Sequence, residues 1–233
     1  MYSEKKRVPA SGAGRKRKTS SKSASDQLTK KQAGISSKKK ALSGKKQKWK
    51  PGNMLYPLPA VLVSVTDGEG RDNVFTVAWT GTVCTSPPMV YISVRPSRYS
   101  FEMIRKTKEF VLNLTTEELG FAADFCGVRS GRDVDKFEIL GLTKDRAEFV
   151  KAPLIRESPV SIECRVTEEK ELGSHTMFLA EVLSVHVDEN LIDENGKFHL
   201  NDAGMLAYSH GEYMTFEKKT GTFGYSVKKR QNS

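Results

Sequence analysis

Apolar and polar residues alternate along several stretches of this chain, and each stretch predicts a half-buried β-strand. Val61, Val63 and Val65 mark the first, and Phe75, Val77 and Trp79, separated by Thr76, Ala78 and Thr80, mark the second. Asp67-Gly68-Glu69-Gly70 between them has turn chemistry, so residues 60–80 read as a hairpin. Val90, Ile92 and Val94 make a third strand; Phe110, Leu112 and Leu114 make a fourth. The long runs Val160–Glu168 and Thr176–Val187 alternate through Ile162, Cys164 and Val166 and through Phe178, Ala180 and Val182, and join at Gly173-Ser174.

The period changes in two places. Ser97–Lys106 reads as a short helix, and Leu119, Ala122, Ala123 and Cys126 follow helical spacing. Thr115 with Glu118 matches a capping box before that second helix, with Thr116 as the alternative first residue. Thr82 to Pro88 read as a hydroxyl-rich loop stiffened by Pro87-Pro88. Residues 127–159 read as mostly irregular, and 188–233 as turn-rich with scattered aromatics. Several antiparallel strands with two short helices predict a mainly β barrel domain.

Charge divides the chain. Residues 1–50 hold 17 Lys and Arg against Glu4 and Asp26, a net of +15, while the remainder has 21 basic and 26 acidic residues, a net of −5. The overall +10 therefore belongs to the N-terminal segment. Residues 1–48 are Lys-, Ser-, Gly- and Ala-rich with few large apolar side chains, which predicts a disordered tail ahead of a domain over 49–233. The tail reads either as a solubilising segment or as a weak tether to nucleic acid or another anionic surface. The mildly acidic body argues against broad nucleic-acid binding by its own face. Cys84, Cys126 and Cys164 are too widely spaced for a disulfide framework, which fits a reducing, cytoplasmic setting. No apolar run approaches the roughly 20 residues of a membrane span.

The chemistry concentrates between Asn73 and Asn113. Thr82, Cys84, Thr85 and Ser86 supply small polar groups, and Arg95 and Arg98 follow at the mouth of a predicted helix. Small hydroxyls beside arginines at a helix N-terminus suit a planar cofactor with a phosphate. The sequence has no catalytic triad, paired-carboxylate motif or dinucleotide-binding glycine fingerprint.

The runs NVFTVAWTGTVCTSPPMVYISV, SRYSFEMIRKTKEFVLNL, SGRDVDKF and GSHTMFLAEVLSV, in that order, resemble the flavin reductase-like, FMN-binding split-barrel family, its flavoredoxin type in particular. The resemblance covers roughly residues 52–226 and excludes the tail. It implies a six-stranded antiparallel split barrel, a homodimer, FMN in a groove between protomers, and electrons supplied by NADH or NADPH and passed to free flavin or a redox partner. Carried over by residue, it puts Ala78, Trp79 and Thr80 beside the flavin ring and Thr82, Cys84, Thr85 and Ser86 along the ring edge and ribityl chain. It puts Ser93 and the run Arg95 to Ser100, with Arg98, Tyr99 and Ser100, at the phosphate. Ser130, Gly131, Asp135, Lys136 and Phe137 fall on a closing loop, and His175 falls near the nicotinamide approach. Plain alternatives stand beside these roles: Trp79 as core, Cys84 as packing, Arg98 paired with Glu102, Lys136 as a surface ion pair, and His175 as a solvated residue. The resemblance admits a reductase or a flavin electron carrier; the basic tail admits a nucleic-acid-tethered scaffold.

Overall fold

The computed structural model describes residues 40–216 and 218–227. The predicted tail lies mostly outside them; residues 40–50 are exposed and carry neither helix nor strand. Among the described residues, no helix is long and apolar enough to cross a membrane.

The main sheet has seven strands where the resemblance implies six, all paired antiparallel as expected. They are β2 (Val61–Thr66), β3 (Asp72–Val77), β4 (Thr80–Thr85), β5 (Pro88–Val94), β6 (Glu109–Asn113), β9 (Val160–Glu171) and β10 (Thr176–Val187). Their spatial order is β3-β2-β6-β9-β10-β5-β4. The strands β3 and β4 are therefore opposite edges of the sheet, yet only Ala78 and Trp79 separate them in the chain. Three backbone steps reach roughly 11 Å at most, so the sheet must curl until its edges meet. The Ser93 amide, on β5, donates to the Trp79 carbonyl at 2.8 Å, which carries the β4–β5 ladder up to the bend. The result is the mainly β, antiparallel split barrel, with the β3–β4 segment bent from one edge to the other.

The alternating residues fill the barrel. Val61, Val63, Val65, Phe75, Ile92, Phe110, Leu112, Phe178 and Ala180 form one buried cluster, and Phe101, Met103 and Ile104 of helix α1 (Ser100–Thr107) join it. The opposite face of β2 is buried too. Leu62 packs with Val74, Leu119, Ala122 and Cys126 beside helix α2 (Gly120–Val128), and with Phe137 of helix α3 (Lys136–Leu140). A strand covered on both faces keeps its polar groups only if they are bonded: the Ser64 hydroxyl donates to the Pro153 carbonyl at 2.5 Å, and Asn113 Nδ2 donates to the Leu62 carbonyl at 3.1 Å. A third cluster, around Val111, Val150 and Leu154, is held by fully buried Glu163. Its carboxylate accepts the amides of Glu148, Phe149 and Val150 and bonds His186 Nε2. Burial raises its pKa, but these bonds outweigh burial and hold it below the ordinary value.

Several local readings change. The expected hydroxyl-rich loop at Thr82–Pro88 is strand β4, a turn at Ser86-Pro87, and the start of β5. Gly81, Pro88 and the hydroxyls suggest a loop, but an edge strand with an exposed outer face tolerates them. Helix α1 starts at Ser100 rather than Ser97, because Arg95–Arg98 first make a turn in which the Arg98 amide donates to the Arg95 carbonyl. The capping box at Thr115 is not formed: its hydroxyl donates to the Ala60 carbonyl, and α2 begins at Gly120 without a side-chain cap. The stretch 127–159 contains α3 and the short pair β7 (Lys144–Asp145) and β8 (Leu154–Ile155). Asp135 caps α3 by accepting the Phe137 and Glu138 amides, and Gly141 ends it at φ 63°. The turn-rich C-terminal third contains a hairpin, β11 (Leu206–Ser209) and β12 (Glu212–Thr215), which pairs with β1 (Leu58–Pro59). His210 and Gly211 both have positive φ at its turn, as a two-residue hairpin of this hand requires.

Candidate functional site

The seam between β3 and β5 opens into a groove made of two joined cavities. The larger, about 530 Å³, is lined by Thr76 to Trp79 of the bent edge, Ser93 to Arg95, Ser174 and His175, with Asp124, Tyr208 and Tyr213 across from them. The smaller, about 340 Å³, extends from Arg95 and Arg98 to the N-terminus of α1 and the loop after α2. Phe75, Thr76, Arg95, Arg98 and Gly127 line both. Cavities of this size suit small-molecule ligands.

The smaller cavity is strongly biased in charge. Five of its fifteen lining residues are cations, namely Arg95, Arg98, Arg129, Arg132 and Lys136, and none is a carboxylate. Among the described residues none of the five takes part in a salt bridge, including the Arg98–Glu102 pair that the sequence allows. Lys136 is 3 % exposed, and its Nζ donates to the carbonyls of Val74 (2.7 Å) and Cys126 (3.2 Å). An ammonium has three donors, so one remains after those bonds. Burial lowers the Lys136 pKa; Cys126 opposes and Arg98 adds to the lowering. Lys136 is thus neither a surface residue nor an ion-pair partner.

The frame around these cations is rigid. Asn73 Nδ2 donates to Ser100 Oγ at 2.7 Å, and both residues are buried. Ser100 begins α1, and Tyr99 and Ser100 line the smaller cavity, so the positive end of the helix dipole lies beside the cations; the Phe101 amide is taken by the Arg98 carbonyl at 3.0 Å. The Tyr99 hydroxyl accepts from Arg71 Nη1 at 3.0 Å, and the Arg132 guanidinium lies 5.3 Å from the Tyr99 ring centroid. Arg132 Nη1 also donates to the Ser97 carbonyl at 3.4 Å, and the Arg132 amide donates to Ser130 Oγ. Gly131 sits where a Cβ would come within 2.6 Å of Asn73 Cγ and 2.8 Å of Tyr99 Cδ1.

The larger cavity is aromatic and less charged. Trp79 is half-buried, lies outside the core clusters, and stacks on His175 at 6.5 Å between centroids and 8° between planes. The His175 pKa is lowered, first by burial and then by Arg95 and Arg98, so its imidazole is neutral at neutral pH. Its Nδ1 is hydrogen-bonded with Ser174 Oγ at 2.9 Å. Tyr213 donates its hydroxyl to Asp124 Oδ1 at 3.4 Å; burial, with Asp124 beside it, pushes its pKa up to about 12.

Of the residues singled out from sequence, the groove gathers Ala78, Trp79, Ser93, Arg95, Arg98, Tyr99, Ser100, Ser130, Gly131, Lys136 and His175. Thr82, Cys84 and Thr85 on β4 and Ser86 in the turn after it line neither cavity. Thr80 is buried, with its hydroxyl donating to the Tyr91 carbonyl at 2.6 Å. Phe137, on α3, is a core residue. Sequence reasoning missed Asn73, Asp124, Arg129, Arg132, Tyr208 and Tyr213 as lining residues. The two arginines were legible as the flanks of Arg129-Ser130-Gly131-Arg132, and the tyrosines as the arms of a His210-Gly211 turn.

A flavin reductase-like domain model matches residues 54–217. A protein of Archaeoglobus fulgidus without a described function is 34% identical over 161 residues, covering 69% of this chain and 89% of that protein. The FMN reductase (NADH) RutF of Acinetobacter baylyi is 25% identical over 126 residues, covering 54% of this chain and 65% of that protein. Among solved structures, the flavoredoxin of Desulfovibrio vulgaris (Miyazaki F) superposes with a TM-score of 0.73 at 29% identity, covering 79% of this chain and all of that one.

Proposed function

The chain belongs to the flavin reductase-like family, and from that premise we propose that it is an FMN-dependent oxidoreductase passing electrons from NADH or NADPH to free flavin or a downstream acceptor. The observation that carries the reading is the acid-free cavity of five cations joined to a larger aromatic one. A ring, a polar chain and a terminal phosphate call for that sequence of environments. Lys136, Arg98, Ser100 and Ser130 are the groups for the phosphate. The guanidinium fork of Arg98 fits two phosphate oxygens, and the spare Nζ donor of Lys136 makes a charge-assisted bond from below.

The backbone at the bend Val77–Trp79 serves the ring's polar edge, and Ala78 has the small side chain that close approach needs. FMN, when bound, supplies hydride acceptance and single-electron transfer. The protein's own residues have binding, orientation and electrostatics to provide. Neutral His175, fixed by Ser174 and stacked on Trp79, offers a hydrogen-bonding group without adding positive charge to the approach path. Arg95 and Arg98 line the ring cavity as well and favour negative charge that develops there.

A second reading, an FMN electron carrier with little NADH or NADPH activity, is favoured by the likeness to a flavoredoxin. Anaerobic stopped-flow absorbance on the FMN-loaded protein separates the two. Bleaching of the flavin band by either nicotinamide supports the reductase. A band bleached only by dithionite supports the carrier, and a protein that takes up no FMN overturns both.

A further inference from the structure

FMN brings one phosphate monoester, with a charge of about −1.5 to −2 near neutral pH. Lys136 and Arg98 balance it, leaving Arg95, Arg129 and Arg132 facing a cavity that contains no carboxylate. The five cations are also unequal in depth. Lys136 lies buried between two carbonyls, whereas all four arginines are exposed; Arg95 and Arg98 line both cavities, and Arg129 and Arg132, on the loop after α2, line only the smaller.

The chemistry of the reductant accounts for a second tier. In FMN and in a nicotinamide dinucleotide alike, the reactive ring is followed by a five-carbon sugar unit and then by phosphate. Ring stacked on ring, with the two chains running the same way, brings both phosphates to the same end of the groove. Two anions side by side need extra cations at their outer edge.

We propose that Arg129 and Arg132 are the binding residues for the pyrophosphate of the nicotinamide dinucleotide, distinct from the Lys136–Arg98 pair that serves the FMN phosphate. The assignment rests on the FMN reading above. It gives the loop at residues 129–132 a second duty. Arg132, braced on Tyr99 and the Ser97 carbonyl, is pre-positioned, while the Arg129 side chain has no hydrogen-bond partner among the described residues.

The test is equilibrium binding of NAD⁺, which cannot reduce the flavin, to the FMN-loaded protein by calorimetry, with FMN affinity measured separately by fluorescence quenching. In the Arg129→Ala/Arg132→Ala variant, NAD⁺ should bind at least tenfold more weakly and with a shallower salt dependence. FMN affinity should fall by much less, at most about threefold, because Arg132 also braces Tyr99, and nicotinamide riboside, which has no phosphate, should bind as it does to the unaltered protein. Melting of the variant within a degree or two of the parent verifies that the loop is intact. Unchanged NAD⁺ affinity in the variant overturns the assignment and leaves the FMN reading standing, as does an unaltered FMN-loaded protein that binds no NAD⁺. FMN weakened in step with NAD⁺ overturns it too, by giving both arginines to the FMN phosphate. Absence of flavin uptake by the unaltered protein would instead remove the reading on which the assignment rests.

Discussion

Gly131→Ala is the sharpest test of the groove's frame. The added methyl would lie 2.6 Å from Asn73 Cγ and 2.8 Å from Tyr99 Cδ1. Neither neighbour can swing away freely. Asn73 is buried and bonded to Ser100 at 2.7 Å, and Tyr99 is held by Arg71 at its hydroxyl and by Arg132 over its ring. The objection is one of space, because Gly131 is not among the glycines with positive φ. Displacing Asn73 would leave Ser100 without that donor, at about 1–3 kcal/mol for a buried group. Keeping Asn73 in place would overpack the site, at a similar cost of about 1–3 kcal/mol. These are alternative reliefs of one clash, so the expected loss is about 1–3 kcal/mol, or roughly 2–12 °C in melting temperature for a domain of this size. FMN affinity should fall with it, since the displaced side chains frame the phosphate cavity. Gly127→Ala is the control: its Cβ would meet Thr76 Cβ at an ordinary 3.6 Å, and alanine within α2 should hold or raise the melting temperature. Thermal melts of both variants, with flavin titrations of Gly131→Ala, decide the matter. A Gly131→Ala protein that melts and binds FMN like its parent refutes the reasoning, and an equal fall in both variants refutes the attribution to crowding.

Other expectations bear on the same groove and on the tail. Arg98→Ala should weaken FMN by roughly 10- to 100-fold, the worth of charge-assisted hydrogen bonds, and leave riboflavin unaffected in parallel titrations; equal losses for the two would take Arg98 away from the phosphate. The lowered pKa of Lys136 means that the unfolded chain keeps this proton to higher pH than the folded one. Stability from this group therefore rises with pH between the lowered value and the ordinary 10.5, and Lys136→Met should abolish that rise in urea midpoints measured across the window. Phosphate favours the charged amine, so FMN affinity should fall with pH through that window while riboflavin affinity stays flat; parallel profiles would count against the assignment. Deleting residues 1–48 should leave flavin content and melting unchanged and remove any salt-dependent retention on DNA. Sedimentation should give the mass of two chains, and a monomer retaining FMN would contradict a groove completed by a second copy.

The barrel was legible where residues alternate against a single apolar interior, as at Val90–Val94. It was less legible in β4, whose hydroxyls resemble loop chemistry because an edge strand leaves one side in water. Helix α3 was missed although Asp135 and Gly141 carry its cap signals, because its five residues are too few to show a period. Arg98 and Ser100 stood out because a local helix start explains them. Asn73 did not, since its partners Ser100 and Gly131 are distant in sequence and meet it only once the sheet has curled.

That curl has a consequence for the empty and filled forms of the protein. An open sheet of seven strands would present two rows of unpaired amides and carbonyls, each a template for aggregation. Here the rows are brought together at Ala78–Trp79, at the place where the groove begins. A molecule bound there would act as a clasp on the seam as well as a reactant. Amide hydrogen exchange at Val77 to Thr80 and along β5 should slow on filling the groove, while β6 and β9, in the middle of the sheet, should not change.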